Sequence, residues 1–217
     1  MPMDRGDTLL MTGDSITDCG RARPVGLAAG GGLGNGYPAL VQQHLTALRP
    51  ADGLRVVNTG TSGNTVRDLA ARWREDVLAH APQWLSVCIG INDVWRHFDS
   101  WLEPRAHVPL DEYRHTLDGL LAEVRPKVKG LLLLTPFYVE PNRADPLRAM
   151  MDRYGAAVAE LAQRHEAILV DTQALFDAHC VHRHATAIAA DRVHPDGTGH
   201  LLLARAVLKA LGQGLEA

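Results

Sequence analysis

Short apolar runs alternate along the chain with longer stretches whose apolar residues recur at helical spacing. The runs are Thr8–Thr12, Leu54–Val57, Leu85–Ile89, Gly130–Thr135 and Ala167–Val170. They are short and mostly continuous, as strands are in a parallel sheet covered on both faces. Between them lie amphipathic stretches at Tyr37–Leu48, Thr65–His80, Leu110–Val124 and Pro146–His165, and a last one runs from Asp196 to Leu211. This alternation predicts a three-layer α/β/α fold built on an open, five-stranded parallel sheet. No repeat, low-complexity tract or linker interrupts it, so residues 1–217 are expected to form one domain.

In open parallel sheets, ligands bind beyond the carboxyl ends of the strands, where the strand order switches. For the order 2-1-3-4-5 that point lies beside strands one and three. The first apolar run is followed by Gly13-Asp14-Ser15 and the second by Asn58-Thr59-Gly60-Thr61-Ser62-Gly63-Asn64-Thr65. The third is followed by Gly90-Ile91-Asn92-Asp93. The three loops are expected to converge, each bringing small residues with hydrogen-bonding capacity.

A serine hydroxyl in such a place needs a base to become a nucleophile. The stretch "ADRVHPDGTGH" offers one: Asp191 precedes His194 by three residues, just before the last helical stretch. One short loop can hold both, with the carboxylate accepting from imidazole Nδ1–H and stabilising the imidazolium that forms. The chain order Ser, Asp, His is that of open-sheet α/β hydrolases, although their Gly-x-Ser-x-Gly elbow is missing. The nearest approach to it is Gly60-Thr61-Ser62-Gly63, which makes Ser62 the rival to Ser15. Acyl transfer also needs donors aimed at the developing oxyanion. Three candidates are the N–H of Ser15, the N–H of Gly63 and the uncharged side-chain amide of Asn92.

The blocks "GDSIT" at Gly13–Thr17, "SGNT" at Ser62–Thr65, "GIND" at Gly90–Asp93 and "DRVHP" at Asp191–Pro195 resemble the four blocks of the SGNH (GDSL) hydrolase family. They occur in the family's order across nearly the whole chain. The resemblance implies a flavodoxin-like fold, with Ser15, Gly63, Asn92 and His194 as the naming residues and Asp191 completing the triad. "GDSITDCGRARP", "NTVRDLAARWREDV", "GINDVWRHFD", "LTPFYVEPN" and "VDTQALF" are similar to the cytoplasmic bacterial acetyl-xylooligosaccharide esterases within that family. That likeness implies deacetylation of xylose units by a homo-oligomer. It also makes Asp14, Asn64 and Trp95 candidate substrate contacts. One departure is Ala190, where the subgroup often carries a bulky aromatic; it bears on the acyl pocket or on a subunit contact.

Composition narrows the alternatives. At 46% apolar and 22% charged, the chain reads as an ordinary globular protein. A net charge of -3 offers no footprint for nucleic acid or an anionic membrane. No apolar run approaches the roughly 20 residues of a membrane helix, and "MPMDRGDTLL" lacks a signal-peptide core, so a cytoplasmic location is expected. Cys19, Cys88 and Cys180 form no CxxC pair, and Cys88 reads as core. His179, His182 and His184 lack an acid or cysteine at ligand spacing, so they read as a polar surface turn. Neither metal nor cofactor is expected. Trp73 and Trp84 read as core. Trp95, Trp101 and Phe98 suit either a sugar ring or packing. "GLAAGGGLGNGYPA" has no strand directly before it and no P-loop lysine after it, so it reads as a mobile loop at the mouth of the site. A lysophospholipase or thioesterase is the second enzyme reading, set lower because no apolar lid or interfacial helix is visible. A non-catalytic sugar-binding module is the reading from another class, and the intact Ser-Asp-His set argues against it.

Overall fold

The structure is a computed structural model and describes residues 3–100, 102–103 and 106–213. Its strands are β1 (Thr8–Gly13), β2 (Gly26–Leu27), β3 (Arg55–Asn58), β4 (Trp84–Cys88), β5 (Gly130–Leu134) and β6 (Ile168–Val170). They form one sheet in the order β2-β3-β1-β4-β5-β6. All pairings are parallel except that of β2 with β3. The five parallel strands are those the apolar runs predict, in the expected order. The sixth, β2, is an addition to the prediction. Two residues long, it holds the edge through backbone pairing of Gly26 with Asn58 and Leu27 with Val57, and so leaves no apolar run to read.

The helices are α1 (Ser15–Asp18), α2 (Tyr37–Leu48), α3 (Val66–Asp76), α4 (Ile91–Asp99), α5 (Leu110–Val124), α6 (Pro146–Arg164), α7 (Thr172–Cys180) and α8 (Gly197–Ala210). Helix α2 packs against α8, and α8 against α7; α3 packs against α5, and α5 and α4 against α6. The sheet is thus covered by helices, and its central strands are buried along their length. Leu9, Leu10, Met11, Leu85, Val87 and Leu131 to Leu134 are all sealed from water, which is why these runs are continuous rather than alternating. Trp73, Trp84 and Cys88 lie in that core.

The stretch Thr65–His80 is not one helix. Thr65 caps it through a reciprocal box with Asp68, α3 ends at Asp76, and Val77 turns the chain into a 3-10 turn at Leu78–His80. Helices α4 and α7, nine residues each, were not expected, and α4 begins inside what reads as a loop. The glycine-rich stretch forms β2, a 3-10 turn at Ala29–Gly31 and a segment lying on the end of α1. There Asn35 N–H donates to Cys19 C=O (2.9 Å) and Ala22 N–H to Gly32 C=O (2.8 Å). Asn58 Nδ2 donates to Leu33 C=O at 3.0 Å. Among the described residues, no helix is long and apolar enough to cross a membrane.

Candidate active site

The turn after β1 is built by close approach. Gly13 pairs with Cys88 on β4 and has φ 156°. A Cβ there would lie 2.0 Å from the Cys88 carbonyl oxygen, so glycine is what lets the strand end run so near its neighbour. Asp14 then caps α1, accepting from Ile16 N–H at 3.0 Å. Ser15 is the first residue of α1, a position whose N–H has no partner inside a helix.

The C-terminal loop meets it from the other end of the chain. Ser15 Oγ lies 2.8 Å from His194 Nε2, and His194 Nδ1 lies 2.6 Å from Asp191 Oδ2. The other carboxylate oxygen of Asp191 accepts from Val193 N–H (2.9 Å) and His194 N–H (2.8 Å), so this one side chain both folds the loop and orients the ring. Partial burial opposes ionisation of Asp191. The bonds from the His194 ring and from the two backbone N–H groups outweigh it and hold the carboxyl below its ordinary range. An ionised Asp191 favours the Nδ1–H tautomer, leaving Nε2 free to accept the Ser15 proton. The loop is anchored on both sides. Val139 N–H donates to Arg192 C=O at 2.8 Å, and Asp196 caps α8 through Thr198 and Gly199 N–H. Arg192 also forms an ion pair with Glu140.

The loop after β3 forms the other wall. Thr61 N–H donates to Gly13 C=O at 3.0 Å. Ser62 donates both its N–H and its hydroxyl to Asp18 Oδ2, each at 2.9 Å. Burial raises the Asp18 pKa, but bonds from Arg23 and Ser62 prevail and hold it low, so this carboxylate is a poor base for its serine. The structure therefore joins Ser15, and not Ser62, to an imidazole. Gly63, with φ 80°, turns the loop toward Asn64. Asn92 lies in the first turn of α4 rather than in a loop. It is buried and gives one amide hydrogen to Asn64 C=O at 3.0 Å, which leaves the other for a ligand.

The three candidate substrate contacts separate. Trp95 is half-buried, with its ring centroid 6.2 Å from that of His194. The Asn64 side chain accepts from Arg72 Nε at 2.6 Å. Asp14 is buried on its helix cap rather than open to a ligand, and that burial pushes its carboxyl up to about 7 against the pull of Ile16 N–H, His194 and Arg72. Asp93, also buried, accepts from Val66 N–H at 2.9 Å with one oxygen, and its other oxygen has no hydrogen-bond partner among the described residues. Burial pushes Asp93 to about 7 as well. Phe98 is exposed, Ala190 is exposed beside the triad loop, and Trp101 lies outside the described residues. His184 Nδ1 caps the turn at Ala185–Ala187, accepting from Thr186 N–H at 3.3 Å. Arg72, which sequence reasoning did not single out, reaches both loops of the site.

A model of the GDSL-like lipase/acylhydrolase family matches residues 11–202. The chain belongs to this family. Its GDSL-like block is Gly13-Asp14-Ser15-Ile16, with the Ile16 side chain anchored in the core. Among individual members, the chain is 52% identical to an acetylxylan esterase of Geobacillus stearothermophilus over 212 residues, 98% of this chain and 97% of that one. The crystal structure of Axe2, an acetylxylan esterase from the same organism, superposes with a TM-score of 0.96 at 51% identity, covering all of both chains. Catalytic mutants of Axe2 at S15A, D191A and H194A match at the same TM-score. A further structure, LAE5, an alpha/beta hydrolase enzyme from the metagenome of Lake Arreo, has a TM-score of 0.95 at 47% identity over 99% of each chain.

Proposed function

We propose that this GDSL-like hydrolase is a serine esterase that removes acetyl groups from acetylated xylo-oligosaccharides. The observation that carries the reading is the unbroken relay from Ser15 through His194 to Asp191, at 2.8 and 2.6 Å. Its likeness to an acetylxylan esterase supports the substrate class.

In this reading His194 Nε2 takes the Ser15 proton as Oγ attacks the acetyl carbonyl. The oxyanion is held by Ser15 N–H, Gly63 N–H and the free amide hydrogen of Asn92. As the tetrahedral adduct collapses, the acyl C–O bond to the sugar breaks, the imidazolium gives its proton to the departing sugar oxygen, and an acetyl-enzyme remains. A water deprotonated by His194 attacks that ester, the C–O bond to Ser15 breaks, His194 returns the proton to Ser15 Oγ, and acetate leaves. Trp95, beside His194, supplies an aromatic face for the sugar ring. We take residues 1–217 as one catalytic domain, working in the cytoplasm as a homo-oligomer on imported short oligosaccharides.

Acetate release from acetylated xylo-oligosaccharides by the parent protein and by Ser15→Ala tests the reading. Release by the parent alone is the expected result. Faster cleavage of octanoyl than of acetyl p-nitrophenyl ester would overturn the substrate, and an active Ser15→Ala would overturn the nucleophile.

A further inference from the structure

Three donors from three separate segments must point at one oxygen, and a single guanidinium links those segments, two directly and the third through Asn64. Arg72 extends from α3 and is largely buried. Its Nη2 donates to Gly13 C=O at 2.7 Å, two residues before the Ser15 N–H. Nη1 donates to Thr59 C=O at 2.7 Å, to Thr12 Oγ1 at 3.3 Å and to Asp76 Oδ2 at 2.8 Å. Nε donates to Asn64 Oδ1 at 2.6 Å. Asn64 directly follows Gly63, and its own carbonyl holds the Asn92 amide at 3.0 Å. Gly63 and Asn92 therefore lie two covalent or hydrogen-bonded residue steps from one planar cation, and Ser15 lies three.

We propose that Arg72 is a positioning residue that sets the mutual spacing of the oxyanion donors Ser15 N–H, Gly63 N–H and Asn92 Nδ2. The inference rests on the esterase reading above. Its physical basis is the shape of the group. A guanidinium has five N–H donors in a rigid fork, so fixing it fixes all of its acceptors relative to one another. Asp76, one turn along α3 and on the same Nη1, holds the fork in place. Oxyanion donors act only when aimed at the place where charge develops, and they gain from being prearranged there. The Arg72 hydrogen bonds go to Thr12, Gly13, Thr59, Asn64 and Asp76 and not to the Ser15 hydroxyl, so its loss should lower the rate of the chemical step and leave ground-state binding nearly intact.

The test measures kcat and KM for p-nitrophenyl acetate with Arg72→Ala, Arg72→Lys and Asn64→Ala. Rates are expressed per reactive serine, counted by p-nitrophenol released from diethyl p-nitrophenyl phosphate in a reaction run to completion. Counting in this way removes any unfolded fraction from the comparison. Arg72→Ala is expected to lose roughly ten- to a hundredfold in kcat, less than complete loss of one or two donors, with KM nearly unchanged. Arg72→Lys keeps the positive charge beside Asp14 but not the fork, so it should stay close to Arg72→Ala. Asn64→Ala cuts only the Nε contact and should lose about tenfold in kcat. It also decides the matter if Arg72→Ala yields no reactive serine. Full kcat in these variants, complete rescue by lysine, or a rise in KM alone would overturn the inference while leaving the parent an active esterase. A parent that neither turns over the ester nor reacts with the phosphate would overturn the esterase reading, and this inference with it.

Discussion

Replacing Gly13 with alanine adds one methyl group at the point where the strand leading to Ser15 meets the centre of the sheet. The new Cβ would sit 2.0 Å from the Cys88 carbonyl oxygen and 2.8 Å from Thr17 Oγ1. The first of these is backbone, on the strand paired with β1 at this residue, so it cannot move aside without opening the ladder. Overpacking of this kind costs about 1–3 kcal/mol, and forcing a side chain into the φ 156° conformation adds about 1–3 kcal/mol. Each kcal/mol shifts Tm by about 2–4 °C in a chain of this size, so a total of about 2–6 kcal/mol lowers Tm by roughly 4–24 °C. Turnover should fall too. The Gly13 carbonyl is the acceptor for Arg72 and Thr61, and Ser15 follows two residues later. A displacement of about 1 Å there would cost up to roughly a hundredfold. Gly119→Ala is the matched control: Gly119 is exposed on α5 with open space where the methyl would go. That exchange should gain about 0.8–1 kcal/mol and raise Tm by about 2–4 °C. Calorimetry and p-nitrophenyl acetate hydrolysis measure both effects. A Gly13→Ala protein that melts with the parent and turns over at its rate would show that the strand end has slack, and the close-approach argument would be refuted.

Asp93 titrates near 7 in the fold and near 3.8 when unfolded, so the fold favours its protonated form. Its contribution to stability is full below about 3.8 and is lost as pH rises through about 7. Asp93→Asn should therefore gain about 2–3 kcal/mol relative to the parent between pH 5 and pH 8, read from urea midpoints; an offset that does not change with pH would contradict this. Ser62→Ala should keep kcat within about threefold, because its hydroxyl serves Asp18, whereas Ser15→Ala should lose about four to six orders of magnitude. Steady-state kinetics on an acetyl ester separates the two serines, and equal losses would restore Ser62 as a rival.

The parallel sheet and its order were legible because burial on both faces turns each central strand into an unbroken apolar run, as at Gly130–Leu134. The geometry of the Asp191–His194 loop was legible from its spacing, since a three-residue interval lets one carboxylate cap the loop and orient the ring. Strand β2 was not, because two residues held by backbone bonds leave no side-chain signature. Helix α4 escaped for a related reason: its first turn buries Asn92 and Asp93 for the site, which masks the helical period that Ile91 and Val94 would otherwise show. Arg72 could not be told from Arg67 or Arg74 on the same helix. All three look like a solvated face, and only the folded geometry shows that the Arg72 fork turns back toward Gly13 and Asn64. The two candidate serines both sit among glycines; what separates them is the partner each finds across space, His194 for one and Asp18 for the other.

The proposed nucleophile and its proposed base are 179 residues apart in the chain. Ser15 opens α1 and His194 stands just before α8, so a polypeptide emerging from the ribosome carries its serine for most of its synthesis with no base beside it. Joining the two requires a long loop to close, which favours late rather than early assembly of the dyad. A reagent that labels only an activated serine is then a gauge of complete folding. Such a label appears when the last helix docks, and a truncated or half-folded chain stays dark however much of its sheet has formed.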